Sequence, residues 1–136
     1  MKPIRTVSLA RALAVAVCAA TAAGTAEPRW WKGNLHTHSF CSDGDDFPEM
    51  VCAWYKDHGY DFLALSDHNV LQEGQRWLAI GTNQIRLEAL EKYRERFGAN
   101  WVEVREKEGR REVRLKPLTE YRPRLERSGE FLIIKS

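Results

Sequence analysis

Three of the four histidines in this 136-residue sequence lie where strands are predicted to end. His36 and His38 follow a short apolar segment, and His68 follows a second apolar run. Because residues two apart in an extended chain point to the same side, the imidazoles of His36 and His38 are expected to project together. Neutral imidazoles held close together are typical ligands of divalent transition metals. The pair taken alone is a weak signal, since surface strands produce such pairs by chance.

Acidic residues close to these histidines strengthen the prediction of a metal site. Asp43 lies in the segment Ser42-Asp43-Gly44, where a glycine allows a tight turn toward a ligand. In parallel α/β folds the ligand crevice lies at the carboxyl ends of the strands. Two consecutive strands should therefore deliver the histidines to one edge, with Asp43 within reach of its loop. The predicted metal-ligating residues are His36, His38, Asp43 and His68.

Strands and helices are predicted to alternate along the chain, and the strands end at this edge. This alternation predicts an α/β protein with a parallel core. The remaining histidine, His58, ends a helical pattern and is expected to have a structural role. A charged, alternating pattern around Glu108-Gly109 predicts a β-hairpin with one solvated face. The predicted strands cover residues 30–35, 62–66 and 131–134, and the last of them is expected to be buried. The predicted helices begin at Pro48 and after Asn83 and end at Gly59 and Gly98. The polar stretch before the last strand is broken by Pro123 and is expected to be irregular.

The first 26 residues have the pattern of a secretory signal peptide. They contain Lys2, Arg5 and Arg11 and no acidic residue, then an apolar stretch and the small-x-small segment Gly24-Thr25-Ala26. The apolar stretch from Ala12 to Ala20 is too short to span a bilayer, which requires about 20 residues. We predict export to the periplasm or the extracellular space, and a mature chain without a stable membrane span. An uncleaved N-terminal anchor is the alternative.

Composition narrows the class of the mature chain. Charged residues make up 29% and hydrophobic residues 43% of the sequence, which excludes a disordered or collagen-like protein. Without the leader, 18 basic and 19 acidic residues remain. This nearly neutral net charge does not indicate binding to nucleic acid. Cys41 and Cys52 also remain in an oxidising compartment, and whether they pair is left open.

Two segments together resemble a known family. Gly33-Asn34-Leu35-His36-Thr37-His38-Ser39 with Ser42-Asp43-Gly44, followed by the segment 59–69 that ends in Ser66-Asp67-His68-Asn69, resembles the PHP (polymerase and histidinol phosphatase) domain. The resemblance covers roughly residues 31–70 and depends on the combined spacing of the two motifs. Residues 98–130 match no family pattern.

The resemblance implies a fold, an activity and a set of ligands. The fold is a distorted (β/α) barrel, and residues 27–136 would form its N-terminal portion with an inserted β-hairpin. This portion is expected to be truncated, because the family has further metal ligands after the strand at which this sequence ends. The activity is hydrolysis of small phosphoesters by metal-activated water, with zinc, manganese or iron ions. By this resemblance, the metal ligands on the strands are His36, His38 and His68. Asp43 looks like the ligand from the loop, and Asp45 is the alternative to it. Asp67 looks like a residue that orients an imidazole.

Two other functions fit the same residues. Metal hydrolases of the amidohydrolase kind also begin with His-x-His on a barrel strand, although the Ser-Asp-His-Asn strand end argues against them. A non-catalytic fragment that binds metal or a partner is the third interpretation. The absence of a P-loop and of a nucleophile elbow leaves phosphoryl transfer from nucleotides and serine hydrolysis without support.

Overall fold

A computed structural model describes residues 28–136, so the predicted signal peptide lies outside the described residues. The strands and helices in chain order are β1 (Gly33–Thr37), α1 (Pro48–Asp57), β2 (Phe62–Leu65), β3 (Arg76–Ala79), α2 (Gln84–Phe97), β4 (Val104–Lys107), β5 (Arg110–Leu115), α3 (Leu118–Leu125) and β6 (Leu132–Ile134). The chain is therefore a mixed α/β protein, as predicted.

A three-stranded parallel sheet in the order β1-β2-β6 forms one layer. Phe62 of β2 pairs with Gly33 of β1 and with Leu132 of β6, which confirms the predicted parallel strands. Helices α1 and α3 cover one face of this sheet, around the fully buried side chains of Leu63 and Ile133. The described strands do not close into a barrel.

The second sheet is antiparallel, with the order β3-β5-β4. Strands β4 and β5 form the predicted hairpin, and its turn residues Glu108 and Gly109 both have positive φ, at 52° and 71°. Such a turn matches the right-handed twist of the two strands. Strand β3 was not predicted from the sequence; it pairs with β5 on the side opposite β4. The hairpin thus supplies the central strand and one edge strand of a three-stranded sheet.

The two predicted helix starts are confirmed. Pro48 occupies the first turn of α1, where a missing N–H costs nothing. Asn83 caps α2, since its side-chain oxygen accepts a hydrogen bond of 3.0 Å from the backbone N–H of Arg86. Both helices also end at their predicted positions, with Gly59 directly after the C-cap of α1 and Gly98 at the C-cap of α2.

Two predictions need correction outside the site. The segment around Pro123 was expected to be irregular, but it forms α3, whose buried residues Leu118, Tyr121 and Leu125 pack on the parallel sheet. Strand β6 was expected to be buried, but it is buried on one face only: Ile133 is fully buried, whereas the neighbouring Leu132 side chain points to the other face and is 51% exposed.

Cys41 and Cys52 are both free thiols, so they do not pair with each other. Among residues 28–136, no helix is both long enough and apolar enough to cross a membrane.

Candidate metal centre

The predicted ligands lie at the carboxyl ends of two neighbouring strands. His36 is the fourth residue of β1, His38 comes directly after that strand, and His68 follows β2 by three residues. A backbone hydrogen bond of 2.8 Å from Ser66 to Thr37 ties the two strand ends together. Because β1 and β2 are parallel neighbours, both histidine segments emerge at the same edge of the sheet.

Three of the four predicted ligands come together at this edge. His38 Nδ1 lies 2.8 Å from Asp43 Oδ1, and His68 Nε2 lies 3.6 Å from Asp43 Oδ2. The imidazole rings of His38 and His68 are 4.2 Å apart between centroids. One potential ligand atom from each of the three residues lies within 4.8 Å of the others. We call this set, His38, Asp43 and His68, the ligand group.

His36 lies beside the ligand group and is not a member of it. Its ring centroid is 4.8 Å from that of His38, and its Nδ1 lies 3.4 Å from Ser66 Oγ. The register between β1 and β2 shifts between Asn34 and Thr37, but the rings of His36 and His38 still lie side by side, as alternation predicted. The side chain of Asn34 accepts the backbone N–H of His36 at 2.9 Å, which stabilises this irregularity. Its role as a ligand stays a prediction.

The donor set of the ligand group fits a borderline divalent metal. Two imidazoles and one carboxylate suit zinc, manganese or iron better than calcium. Among the described residues, His38 Nε2 is buried and has no hydrogen-bond partner, so that nitrogen is free to bind an ion. The side chains of Asp43 and His68 are 63% and 57% exposed, which leaves one side of the group open. Three protein ligands with an open position are typical of catalytic zinc sites.

The carboxylate of Asp43 is held in its ionised form. Desolvation raises the pKa of this carboxyl, but the hydrogen bond from Ser42 and the backbone N–H of Asp43 lower it, as do the imidazoles of His38 and His68. The balance places the pKa below its usual value. Asp43 is therefore available as an anionic ligand at neutral pH.

A tight loop brings Asp43 back to the end of β1. The Phe40 N–H donates to the Asp46 carbonyl at 2.7 Å, and the Gly44 N–H donates to the Ser39 carbonyl at 2.9 Å. A Cβ at Gly44 would lie 2.5 Å from the carbonyl carbon and oxygen of His38. Close approach of two backbone segments, as the sequence indicated, thus requires glycine at this position.

Asp45 does not belong to the ligand group, which favours Asp43 as the loop ligand. It is exposed and lines a small cleft next to Asp43, with a volume of about 230 Å³. Asn83 and Arg86, from the start of α2, line the same cleft. The guanidinium of Arg86 donates to the Ala79 carbonyl at 2.7 Å, so it is anchored beside the site.

Asp67 does not orient an imidazole in this structure. Its carboxylate is buried and accepts hydrogen bonds from Ser39, Ser42 and Gln72. The prediction was wrong in its target, because the carboxylate is hydrogen-bonded to Ser39 and Ser42 of the Asp43 loop and to Gln72 instead of to a ring nitrogen. Ser39 and Gln72 were missed in the sequence, since a buried glutamine in a loop has no periodic signal.

His58 lies away from the site, at the C-cap of α1. Its ring stacks on Trp54 at 3.9 Å between centroids, and its Nδ1 lies 2.7 Å from the Trp54 carbonyl oxygen. The interpretation of His58 as a structural residue agrees with these contacts.

Comparisons with known proteins do not place the chain in a family. No protein-family model, no curated protein and no solved structure matches it.

Proposed function

We propose that this chain carries the metal site of a phosphoesterase that hydrolyses small phosphate mono- or diesters with a metal-activated water. The observation that supports the proposal most is the ligand group itself. Side chains from two separate strand ends, 25 residues or more apart in the sequence, place potential ligand atoms within 4.8 Å of one another. Such convergence on one side of a sheet edge is what a metal centre requires.

The resemblance to the PHP domain adds the substrate class. The motifs that carry it contain every member of the ligand group, together with His36 as a further candidate ligand. Under this proposal the parallel sheet is the start of a distorted (β/α) barrel, and the leader at residues 1–26 exports the protein. Zinc, manganese and iron are the candidate ions.

Each residue around the proposed metal site would have a distinct role. His38, Asp43 and His68 would hold the cation, and Asp43 would lower the positive charge of the site. A divalent cation bound there supplies Lewis-acid activation of water and neutralises charge on a phosphoryl group. The open side, formed by the exposed faces of Asp43 and His68, would admit the substrate. Arg86 in the neighbouring cleft provides the only guanidinium among the residues that line it.

A metal-binding module without catalysis is the second candidate. The exposure of Asp43 and His68 favours it, because hydrolytic sites generally exclude bulk water more completely. The two functions share the ligand group and differ only in turnover. One experiment therefore has to measure both binding and hydrolysis.

The test uses the full chain, loaded in turn with zinc, manganese and ferrous iron. Bound metal is quantified after dialysis, and hydrolysis is followed with p-nitrophenyl phosphate and bis(p-nitrophenyl) phosphate. We expect His68→Gln to lose at least about 100-fold in metal affinity, together with the activity. His58→Gln is the matched control, because it removes the one histidine remote from the site, and it should retain both.

Each outcome assigns a function. Metal binding with turnover that depends on His68 supports the phosphoesterase. Metal binding without turnover of either substrate supports the binding module. If the wild-type chain binds none of the three metals, or if His58→Gln and His68→Gln lose metal equally, the proposed site is wrong.

A further inference from the structure

A buried carboxylate lies directly behind the ligand group. Asp67 is 7% exposed and accepts four hydrogen bonds, which use both of its oxygens. Oδ1 accepts the Ser39 backbone N–H at 2.7 Å and the Ser42 hydroxyl at 2.6 Å. Oδ2 accepts the Ser39 hydroxyl at 2.8 Å and the Gln72 side-chain amide at 2.7 Å. All four donors are neutral groups.

Each member of the ligand group is adjacent in sequence to a residue of this network. Ser39 follows His38, Ser42 precedes Asp43, and Asp67 precedes His68. The hydrogen bonds of Asp67 therefore fix the end of β1 and the Asp43 loop against the segment that carries His68. The Ser42 hydroxyl also lies 3.2 Å from Asp43 Oδ1, so it links the carboxylate of Asp67 to a ligand side chain. The contacts with Ser39 and Gln72 reach no ligand atom and act on the backbone that presents the ligands.

The network continues into the hydrophobic core. The Tyr121 hydroxyl donates to Gln72 Oε1, and the Leu118 backbone N–H donates to the Gln72 carbonyl at 3.0 Å. Tyr121 is fully buried in the cluster between α3 and the parallel sheet. Helix α3 thereby holds Gln72, and Gln72 holds Asp67.

We propose that Asp67 is the positioning residue of the metal site, and that Gln72 and Tyr121 anchor it to α3. The proposal rests on the proposed metal site and adds how its geometry is set. Losing one acceptor of a buried network leaves donors unpaired. The loop would then move relative to β2, and the three ligands would no longer meet at one point. Residues that orient metal ligands in this way typically change metal affinity by about 10- to 100-fold.

The experiment compares Asp67→Asn with the wild-type full chain, using cobalt(II) as the probe. We expect Asp67→Asn to lower cobalt affinity by about 10- to 100-fold. The visible absorption of bound cobalt, which reports ligand geometry, should also change. Asp61→Asn is the matched control, because Asp61 accepts the Lys32 backbone N–H at 2.6 Å just before β2, at the opposite end of that strand. It should alter neither measurement.

Two further variants separate positioning from folding. Ser39→Ala removes the hydroxyl that donates to Asp67 Oδ2 at 2.8 Å, and Tyr121→Phe removes the anchor of the network. Neither substitution removes a contact with a ligand atom. Each should weaken cobalt binding by more than the loss of folded protein accounts for, as measured by urea denaturation without metal.

The proposal is overturned if Asp67→Asn and Ser39→Ala bind cobalt with wild-type affinity and spectrum. It is also overturned if the whole loss follows the fraction of unfolded chain. A wild-type chain that binds no cobalt would refute the metal site itself, and with it the proposed function. Wild-type binding with unaffected variants would refute only the positioning role of Asp67.

Discussion

Glu49 is a fully buried carboxyl group in the first turn of α1. Its Oε1 accepts hydrogen bonds from the Tyr93 hydroxyl at 2.6 Å and from the Trp101 indole N–H at 3.3 Å. Its Oε2 has no hydrogen-bond partner among the described residues. Burial raises the pKa of Glu49 from 4.5 to about 7, although the hydrogen bonds from Tyr93 and Trp101 oppose this change.

This carboxyl should make the folding free energy depend on pH. Between pH 4.5 and about 7 the folded chain keeps a proton that the unfolded chain has lost, so stability falls as the pH rises through that range. Glu49→Gln removes the titration and keeps an acceptor for Tyr93. We expect the variant to gain up to about 3 kcal/mol relative to wild type between pH 5 and pH 8, measured by urea denaturation.

Glu95→Gln is the control for this change, because Glu95 is exposed on α2. It should follow the wild-type pH dependence. A constant difference between Glu49→Gln and wild type across the range would show that Glu49 does not titrate there.

The convergence of His38, Asp43 and His68 could be predicted from the sequence, but the burial of Glu49 and Asp67 could not. Histidines at predicted strand ends carry a signal in their spacing, which alternation and strand direction explain. A glutamate in the first turn of a helix is favourable on the surface, where it interacts with the helix dipole. Its burial here depends on Tyr93 and Trp101, which are 44 and 52 residues away. No local pattern contains that information.

The loop between β1 and α1 is the element on which the site depends most. Its conformation requires Gly44, whose Cβ would contact the backbone of His38 and Ser39 at 2.5 and 2.6 Å. These are backbone atoms tied by hydrogen bonds, so they cannot move away without displacing the loop.

Gly44→Ala should therefore destabilise the chain by about 1–3 kcal/mol and weaken metal binding. Gly74→Ala is the matched comparison in the loop after His68. Gly74 has a φ of +71° and no atom within 4 Å of its added Cβ, so that substitution adds backbone strain without a clash. We expect only Gly44→Ala to reduce metal affinity, measured by cobalt titration of the folded protein. Equal affinities of the two variants would contradict the role of the loop.

Several of the elements predicted from the sequence are stabilised by their own residues. Helix α2 has a capping asparagine and a glycine stop, and the β4-β5 hairpin has its own turn. Strand β3 has only four residues and pairs with β5, more than 30 residues later. Helix α3 contains Pro123, which local preferences exclude from a helix interior. Its burial against α1 and the hydrogen bond from Lys56 Nζ to the Leu125 carbonyl compensate for this.

The two sheets belong to two hydrophobic clusters that share a small contact region. One cluster lies under the antiparallel sheet and the other lies under the parallel sheet. Phe97 and Trp101 pack against both clusters. Trp101 also donates to the Tyr93 hydroxyl at 2.9 Å, while Lys116 and Arg124 lie over its ring at 4.7 and 4.2 Å. Because Phe97 and Trp101 contact both clusters, the sheets should unfold together.

Trp101→Leu should weaken this coupling. We expect a loss of about 2 kcal/mol or more, since a large half-buried side chain is shortened and its N–H donor is removed. Hydrogen exchange of amides in β2 and β5 measures the opening of each sheet separately. In the wild type both sets should report one free energy, whereas in Trp101→Leu they should differ. Trp77→Leu, at a half-buried residue of β3 outside the shared region, should leave them equal. Coupled exchange in both variants would mean that other contacts unite the two sheets.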